Sequence, residues 1–285
     1  MSETIELRDE CNQSNGMAGC AGSRVSECAS MADLLRLMGA QSADLVSAAA
    51  MPLVMRRLRA GATLYHEGAE AESIYFVRAG TFKSYRTAED GYEQVLGFAS
   101  RAEVLGFDAI CMGHHPTAAV ALEDSSVYAV PVPDVFTLGQ RIPALDRVLH
   151  LAVSSQLTHH EELADLMAPV AAEVRLARFL MQLSQRMAAC GQSPRRFYLR
   201  MSRRDIARYL GVAHETVSRS FSALAGWGCV RVENREVEIL DLHRLKDYAR
   251  STRRQSDEPM PTSVPRSSVV LPVMGGGVPC GAVGS

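Results

Sequence analysis

The stretch SRRDIARYLGVAHETVSRSFSALAGWGCVRVENREVEI, residues 202–239, decides the fold of the C-terminal part of the chain. Ser202 is a suitable N-cap for a helix over 203–210, because its hydroxyl can accept a hydrogen bond from a free amide of the first turn. Gly211 permits a left-handed turn without a Cβ penalty, and the pattern then predicts a second helix over 214–224. A shared apolar core is predicted from Ile206, Leu210, Val217, Phe221 and Leu224. This arrangement is typical of a helix-turn-helix.

A two-stranded wing is predicted directly after the second helix. The β-prone runs 230–232 and 237–239 flank the polar segment 233–236, which is suited to a turn between two short strands. The complete order of helix, glycine turn, helix and wing predicts a winged helix-turn-helix.

The exposed residues of the second helix fit base recognition in the major groove of DNA. Glu215, Ser218 and Arg219 lie three and four positions apart, and Arg and Glu are suited to guanine and cytosine respectively. Residues 195–219 hold seven arginines against two acids, within a chain of net charge −2. The alternative is a solvated charged face on a structural helical hairpin. The predicted DNA contacts are Glu215, Ser218, Arg219, Thr216, His214 and Arg203.

An antiparallel β-roll is predicted for residues 31–137. The segments 73–78 and 81–86 are rich in β-branched and aromatic residues, and Ala79-Gly80 joins them in a predicted hairpin. Further strands are predicted around 95–98 and 127–132. Glycines recur between the strands, as the turns of a roll require.

A long helix is predicted after the roll, over 138–168. Alternating steps of four and three residues give the spacing of a coiled-coil seam, which favours a dimerisation helix. The alternative is a helix packed on its own domain. Pro169 ends the pattern, and a DNA-binding domain over 169–250 follows, opening with an amphipathic helix over 170–189. The predicted seam consists of Leu149, Val153, Gln156, His160, Leu163 and Met167.

The composition indicates a globular, cytoplasmic protein. The 285 residues suggest about two domains, 47% are hydrophobic and 22% are charged, and no stretch has the length or charge pattern of a secretory signal or a membrane span. The tail 251–285 is rich in Pro, Gly and Ser, so it is predicted to be disordered. Segment 1–30 is polar and holds three of the seven cysteines, a clustering that in a reducing compartment favours metal or redox chemistry.

The predicted α+β order, a β-roll, a long dimer helix and a winged helix-turn-helix, resembles the CRP/FNR superfamily of bacterial transcription regulators. The patterns Gly61-x-x-Leu64-x-x-x-Gly68 and Tyr75-x-Val77-x-x-Gly80 are similar to its sensor-domain signature. The run 215–219, Glu-Thr-Val-Ser-Arg, is similar to its recognition-helix motif in the FNR form. The resemblance covers roughly residues 53–245 and implies a cyclic-nucleotide-binding-like roll.

Cyclic nucleotide is not expected as the ligand of this roll. Members that bind cyclic AMP carry a Glu and an Arg-Ser pair where this chain has Phe107 and Pro116-Thr117. His114 and His115 would replace the arginine only in part. The runs 105–110 and 113–116 instead resemble the oxygen-sensing FNR branch.

The resemblance to FNR proteins implies a [4Fe–4S] cluster on four cysteines, since soft thiolates suit iron–sulfur sites. The predicted ligands are Cys11, Cys20, Cys28 and Cys111. The spacing Cys-x8-Cys-x7-Cys is wider than the family's C-x2-C-x5-C, and Tyr128 stands where the family places its fourth cysteine. Alternatives are a thiol or disulfide switch on the same residues, another ligand in the roll, or a degenerate sensor. Cys190 and Cys229 are predicted to be buried core residues.

The sequence therefore predicts a homodimeric regulator that binds palindromic double-stranded DNA, and the resemblance adds RNA polymerase as a partner. A cysteine- or metal-dependent oxidoreductase is disfavoured, because the chain holds no GxGxxG, P-loop, HExxH or nucleophile elbow. A ligand-binding module that acts only through protein partners is a further alternative. The intact recognition face argues against that module.

Overall fold

The computed structural model describes residues 26–41, 45, 48, 51–167 and 170–251, with the backbone alone for 26–28. Cys11, Cys20, Pro169 and the tail predicted to be disordered lie outside the described residues, apart from Ser251. Within those ranges, no helix has the length and apolar character needed to cross a membrane.

The N-terminal half is a roll of two antiparallel sheets. One sheet has five strands in the order β1-β2-β9-β4-β7, and the other has four in the order β3-β8-β5-β6. A capped helix, α1 (Met31–Leu37), lies in the core with the five-stranded sheet. The strands are β1 Ser26–Ser30, β2 Pro52–Leu58, β3 Thr63–Tyr65, β4 Ser73–Ala79, β5 Phe82–Thr87, β6 Glu93–Ala99, β7 Val104–Leu105, β8 Ala118–Ala121 and β9 Ser125–Pro131.

The predicted hairpin between 73–78 and 81–86 is wrong. β4 pairs with β7 and β9, whereas β5 pairs with β6 and β8, so the two strands belong to different sheets. Gly80 joins them with a φ of +92°, and a Cβ at this position would lie 2.0 Å from the Ser125 hydroxyl oxygen. The glycine thus turns the chain from one sheet into the other, close to β9, instead of closing a two-stranded ribbon.

The long helix begins later than the sequence pattern predicts. Helix α2 spans Val132–Arg141 and helix α3 spans Pro143–Met167. Ile142 between them has extended backbone angles, and Pro143 has no amide hydrogen to continue the hydrogen bonding of α2. The expected boundary at 137/138 therefore falls inside α2.

The predicted seam of α3 lies along the border between a buried face and an exposed face. Leu149 is buried, Leu163 is half-buried, and the Gln156 side-chain amide donates to the Val104 carbonyl at 2.9 Å. Val153, His160 and Met167 are exposed. Half of the predicted seam therefore packs on its own chain, which is the alternative that the pattern left open.

The C-terminal half is the predicted winged helix-turn-helix with two elements that the pattern did not predict, β10 and α7. Its three-stranded sheet has the order β10-β12-β11. Ser202 accepts from the Asp205 amide in a capping box, and Gly211 ends the first helix with a φ of +63°, both as predicted. The elements are α4 Ala172–Ala189, β10 Arg196–Tyr198, α5 Arg203–Leu210, α6 His214–Gly226, β11 Val230–Glu233, β12 Glu236–Ile239 and α7 Leu242–Arg250.

The hydrophobic core of this half extends into the roll. Val95 and Phe98 of β6 are buried in the same cluster as α4, α5 and α6. The Phe98 ring lies 5.2 Å from the Tyr209 ring and 6.2 Å from the Phe179 ring, between centroids. One strand of the roll is thus a structural part of the winged-helix core.

Candidate nucleic-acid interface

Helix α6 is held by its apolar face, which leaves its polar face open. Val217, Phe221 and Leu224 are buried at steps of four and three, the spacing that places side chains on one side of a helix. The glycine turn at Gly211 sets α6 against α5. The face opposite the three buried residues therefore points away from the core.

The structure places the main predicted contacts on this open face. Glu215, Ser218 and Arg219 are exposed, as is His214 in the first turn, whereas Thr216 is half-buried. Ser218 donates to the His214 carbonyl at 3.4 Å. The side chains of Glu215 and Arg219 have no hydrogen bond or ion pair within the described part of the chain, so their polar groups are available to base edges.

Arg203 lies elsewhere than the other predicted contacts. Its guanidinium carbon sits 3.4 Å from the centre of the Phe221 ring, and its Nη2 donates to the Asn234 carbonyl at 3.2 Å. Burial lowers the pKa of Arg203. Of the six predicted DNA contacts, this residue alone joins α5, α6 and the wing.

Much of the arginine-rich charge is already paired. Arg196 Nε lies 2.6 Å from Glu236, Arg200 pairs with Glu123 at 3.2 Å, and Arg208 forms an ion pair with Glu93. All three acids lie outside residues 195–219, so counting charge within that stretch overestimates the charge offered to DNA. Arg204, Arg219 and Arg235 of the wing turn are exposed and form no ion pair within the described part of the chain.

A groove of about 450 Å³ separates the first turn of α5 from the wing turn. Arg204 and His214 line it from the helices, and Asn234 and Arg235 line it from the wing. Arg204 and Arg235 were missed as candidate contacts, although Arg235 lies in the polar turn of the predicted wing. Two cations and a histidine on an open groove suit the phosphate backbone of a nucleic acid.

An ionic contact ties the roll to the helix-turn-helix. Lys83 of β5 lies 3.0 Å from Asp205 and 3.5 Å from Glu93, and the Gln94 side-chain amide donates to the Arg208 carbonyl at 2.6 Å. Burial disfavours ionisation of Asp205, but hydrogen bonds from Ser202 and Lys83 outweigh it and hold the pKa of this carboxyl below its usual range. The roll therefore contacts α5 near both of its ends.

The roll also carries a cavity of about 230 Å³ at its junction with α3 and α4. Phe107, Thr117 and Arg186 line it. Arg186 supplies a cation that was not predicted from sequence, but it pairs with Glu162 at 3.2 Å and lies 3.9 Å from Glu103. The cation is therefore engaged by two carboxylates.

The two histidines considered as substitutes for the missing arginine differ in environment. His115 is buried and stacks on Tyr65 with 3.8 Å between ring centres, whereas His114 is exposed and its Nδ1 lies 2.9 Å from the Met112 carbonyl. Burial lowers the pKa of His115, which opposes its use as a cation.

The cysteines are only partly described. Cys28 lies in β1, which forms one edge of the five-stranded sheet, and its backbone pairs with Val54 of β2. Cys111 is exposed in the loop after β7, which forms the opposite edge, and its Sγ lies 3.4 Å from the Asp108 carbonyl. Among the described residues, no group of three metal-binding side chains occurs. Cys229 is buried as predicted, whereas Cys190 is exposed at the end of α4, so its predicted burial is wrong.

A β-roll that shares its core with a winged helix, whose second helix presents an open polar face, defines the class of DNA-binding regulators. A family model for the cyclic nucleotide-binding domain matches residues 55–141, and one for the Crp-like helix-turn-helix domain matches residues 174–248.

Known proteins of the same build are similar over most of the chain. The transcriptional regulatory protein btr of Bordetella pertussis is 38% identical over 68% of this chain and 81% of its own length. The fumarate and nitrate reduction regulatory protein of Escherichia coli is 38% identical over 69% of this chain and 78% of its own.

Solved structures give the same result. FixK2 from Bradyrhizobium japonicum has a TM-score of 0.63 at 30% identity, over 70% of this chain and 98% of its own. The regulator TTHB099 of Thermus thermophilus, at 20% identity and a TM-score of 0.57 over 69% and 97% of the chains, supports the fold. The chain belongs to the CRP/FNR family of transcription regulators and is not an enzyme.

Proposed function

We propose that this regulator binds palindromic DNA as a homodimer and reads bases with Glu215, Ser218 and Arg219. The observation that carries the proposal is the open face of α6, where Glu215 and Arg219 are exposed and unpaired within the described chain. Arginine can bind guanine through two hydrogen bonds, and glutamate can accept from cytosine. His214 and Thr216 flank these residues at the end of the helix that would enter the groove. As a DNA-binding regulator, the protein would act in the cytoplasm.

The proposed dimer surface is the exposed row of α3. Val153, Leu157, His160, Ala164 and Met167 follow steps of four, three, four and three and are all exposed, Leu157 to 64% of its surface. This row is shifted to one side of the seam predicted from sequence. A helix face of this spacing suits pairing with a second copy, and His160 in the row would keep the pairing marginal.

The proposed signal is oxygen or redox state, and the proposed sensor is a [4Fe–4S] cluster on Cys11, Cys20, Cys28 and Cys111. Because the described fold places Cys28 and Cys111 at opposite edges of the five-stranded sheet, β1 would have to leave β2 for these two thiols to bind one cluster. Similarity to regulators of fumarate and nitrate reduction supports the signal. Thiolate donors suit the cluster, and the exposed Cys111 is accessible to a second segment carrying thiols. When bound, the cluster would supply an oxygen-reactive centre. A thiol switch on the same cysteines is the alternative, and RNA polymerase is the proposed partner in activation.

Anaerobic iron and sulfide content tests the cluster. The native chain should hold about four irons, and the Cys111→Ser variant should lose most of them. Cys190→Ser is the matched control, since Cys190 is also exposed but lies in the DNA-binding half. An iron-free native protein would exclude the cluster, and full iron in Cys111→Ser would exclude Cys111 as a ligand.

Fluorescence anisotropy with an FNR-type palindromic duplex tests DNA binding. Specific binding should exceed binding to a scrambled duplex of the same length by at least about a thousandfold at fixed salt. Equal affinity for the two duplexes would contradict sequence-specific recognition.

A further inference from the structure

Arg203 connects three parts of the winged helix. It is the first residue of α5, it stacks on Phe221 of α6 at 3.4 Å, and it donates to the carbonyl of Asn234 in the wing turn at 3.2 Å. Asn234 has a φ of +55°, so the turn adopts the left-handed conformation. A planar guanidinium can lie flat on a ring and donate hydrogen bonds in its own plane, a geometry that a lysine ammonium does not reproduce.

The wing turn is held from two sides. Arg203 holds the Asn234 carbonyl from the side of α5, and the Leu199 amide donates to the Arg235 carbonyl at 2.7 Å from the side of β10. The exposed Arg235 side chain follows directly, with one weak hydrogen bond to the Arg200 carbonyl at 3.4 Å. The direction of Arg235 therefore depends on where the turn is fixed.

Arg203 itself is poorly placed to bind DNA. Its guanidinium is covered by Phe221 on one face, and Nη1 is buried with no hydrogen-bond partner in the described part of the chain. The neighbouring Arg204 is exposed and lines the same groove. Arg203 also lines this groove but is half-buried, so the two adjacent arginines differ in how much of the side chain is open to a phosphate.

We propose that Arg203 is a positioning residue that fixes the wing turn against α6, so that Arg235 meets the DNA backbone while α6 reads the bases. The proposal rests on the proposed DNA-binding function. It assigns the direct phosphate contacts of the groove to Arg204 and Arg235, and it gives Arg203 an effect that acts through Arg235.

A double-mutant cycle on the full chain tests this assignment. Arg203→Gln and Arg235→Gln should each weaken binding about three- to tenfold, and the double variant should be little weaker than either. Arg204→Gln with Arg235→Gln is the matched control, in which the two losses should multiply because two direct contacts act independently. If the losses of affinity caused by Arg203→Gln and Arg235→Gln also multiplied in the double variant, the proposal would be overturned.

The salt dependence of binding gives a second readout. Arg203→Lys keeps the charge but not the planar group, so it should weaken binding about as much as Arg203→Gln does and lower the slope of log K against log salt by about one, because Arg235 loses its phosphate contact. In the Arg235→Gln chain it should have little further effect. If Arg203 were a phosphate contact, Arg203→Lys would retain affinity and the slope of log K against log salt would be unchanged.

Hydrogen exchange of the free protein separates this proposal from DNA binding. In Arg203→Lys, amides of residues 230–239 should exchange at least about tenfold faster than in the native chain, while those of α4 stay unchanged. Unchanged exchange in the wing would overturn the positioning role whether or not DNA binds. A native protein without sequence preference would instead contradict the proposed function.

Discussion

Gly80 lies where the chain passes from one sheet of the roll to the other. A side chain at this position would be unfavourable for two reasons. Its φ of +92° disfavours any side chain, and a Cβ would lie 2.0 Å from Ser125 Oγ and 2.8 Å from Ser125 Cα. Because the second contact is to backbone, rotation of the serine side chain cannot relieve it.

Gly80→Ala is therefore expected to reduce the free energy of unfolding by roughly 2–4 kcal/mol, from left-handed strain together with steric overlap. Gly91→Ala is the matched control, with a φ of +80° and no neighbour within 4 Å of its Cβ. It should cost only about 1–2 kcal/mol. If urea denaturation gave the same loss of unfolding free energy for Gly80→Ala and Gly91→Ala, the contact with Ser125 would add nothing to the cost.

His115 makes the stability of the roll depend on pH. Burial lowers the pKa of His115 in the folded state below the usual 6.5, although Asp108 opposes the shift. Below pH 6.5 the unfolded chain thus binds a proton more readily than the folded chain, so the unfolding free energy falls as pH is lowered.

The variant His115→Gln should flatten this fall below pH 6.5. One proton changes the slope by at most about 1.4 kcal/mol per pH unit, and His159, whose pKa burial and Arg186 also lower, should keep part of the slope. Urea denaturation at a series of pH values measures both slopes. An unchanged slope in His115→Gln would contradict the assignment.

At the scale of elements, α3 offers two exposed leucines with different expected roles. Leu157 lies in the proposed dimer row, whereas Leu151 is exposed to a similar extent, 62%, on another side of the helix. Leu157→Glu buries two carboxylates in a symmetric interface and should weaken the dimer at least about a hundredfold. Leu151→Glu should leave it unchanged. Sedimentation equilibrium distinguishes them, and equal effects would contradict the row.

Elements with local signals could be predicted from sequence, whereas their pairing could not. The Ser202 cap, Gly211 and the spacing of Val217 and Phe221 act within a few residues, so α5 and α6 lie where the pattern predicts them. The hairpin at Gly80 failed because strand pairing depends on β8 and β9, about 40 residues further along the chain. The exposed row of α3 differs from the predicted seam because the roll covers Leu149 and Gln156 and the C-terminal core covers Leu163.

At the scale of the whole molecule, the roll and the winged helix share a core. Phe98→Ala in the roll removes a ring packed against Phe179 and Tyr209, and such truncations cost about 3–5 kcal/mol. Hydrogen exchange should rise in α4 and α5 although the change is in β6. Phe82→Ala, fully buried in the core of the roll, is the control and should spare these helices. Unchanged exchange in α5 after Phe98→Ala would contradict a shared core.

Long-range contacts also explain which site residues were predictable. The exposure of Glu215 and Arg219 follows from helical period alone. Three contacts of other arginines join residues that are far apart in sequence. They are the ion pair of Arg208 with Glu93, the ion pair of Arg186 with Glu103, and the hydrogen bond from Arg203 to the Asn234 carbonyl. No local pattern reports such contacts, so the arginine-rich stretch appeared more open than it is.

Arg219 is the residue through which α6 is proposed to read DNA bases. The most direct test is the binding of native protein and Arg219→Ala to a set of palindromic duplexes, each changed at one base pair, at fixed salt. Arg219→Ala is expected to cost about 1–3 kcal/mol on the preferred duplex and to lose discrimination at one base pair in each half-site. A uniform loss of affinity on every duplex, with discrimination retained at all positions, would contradict base reading by Arg219.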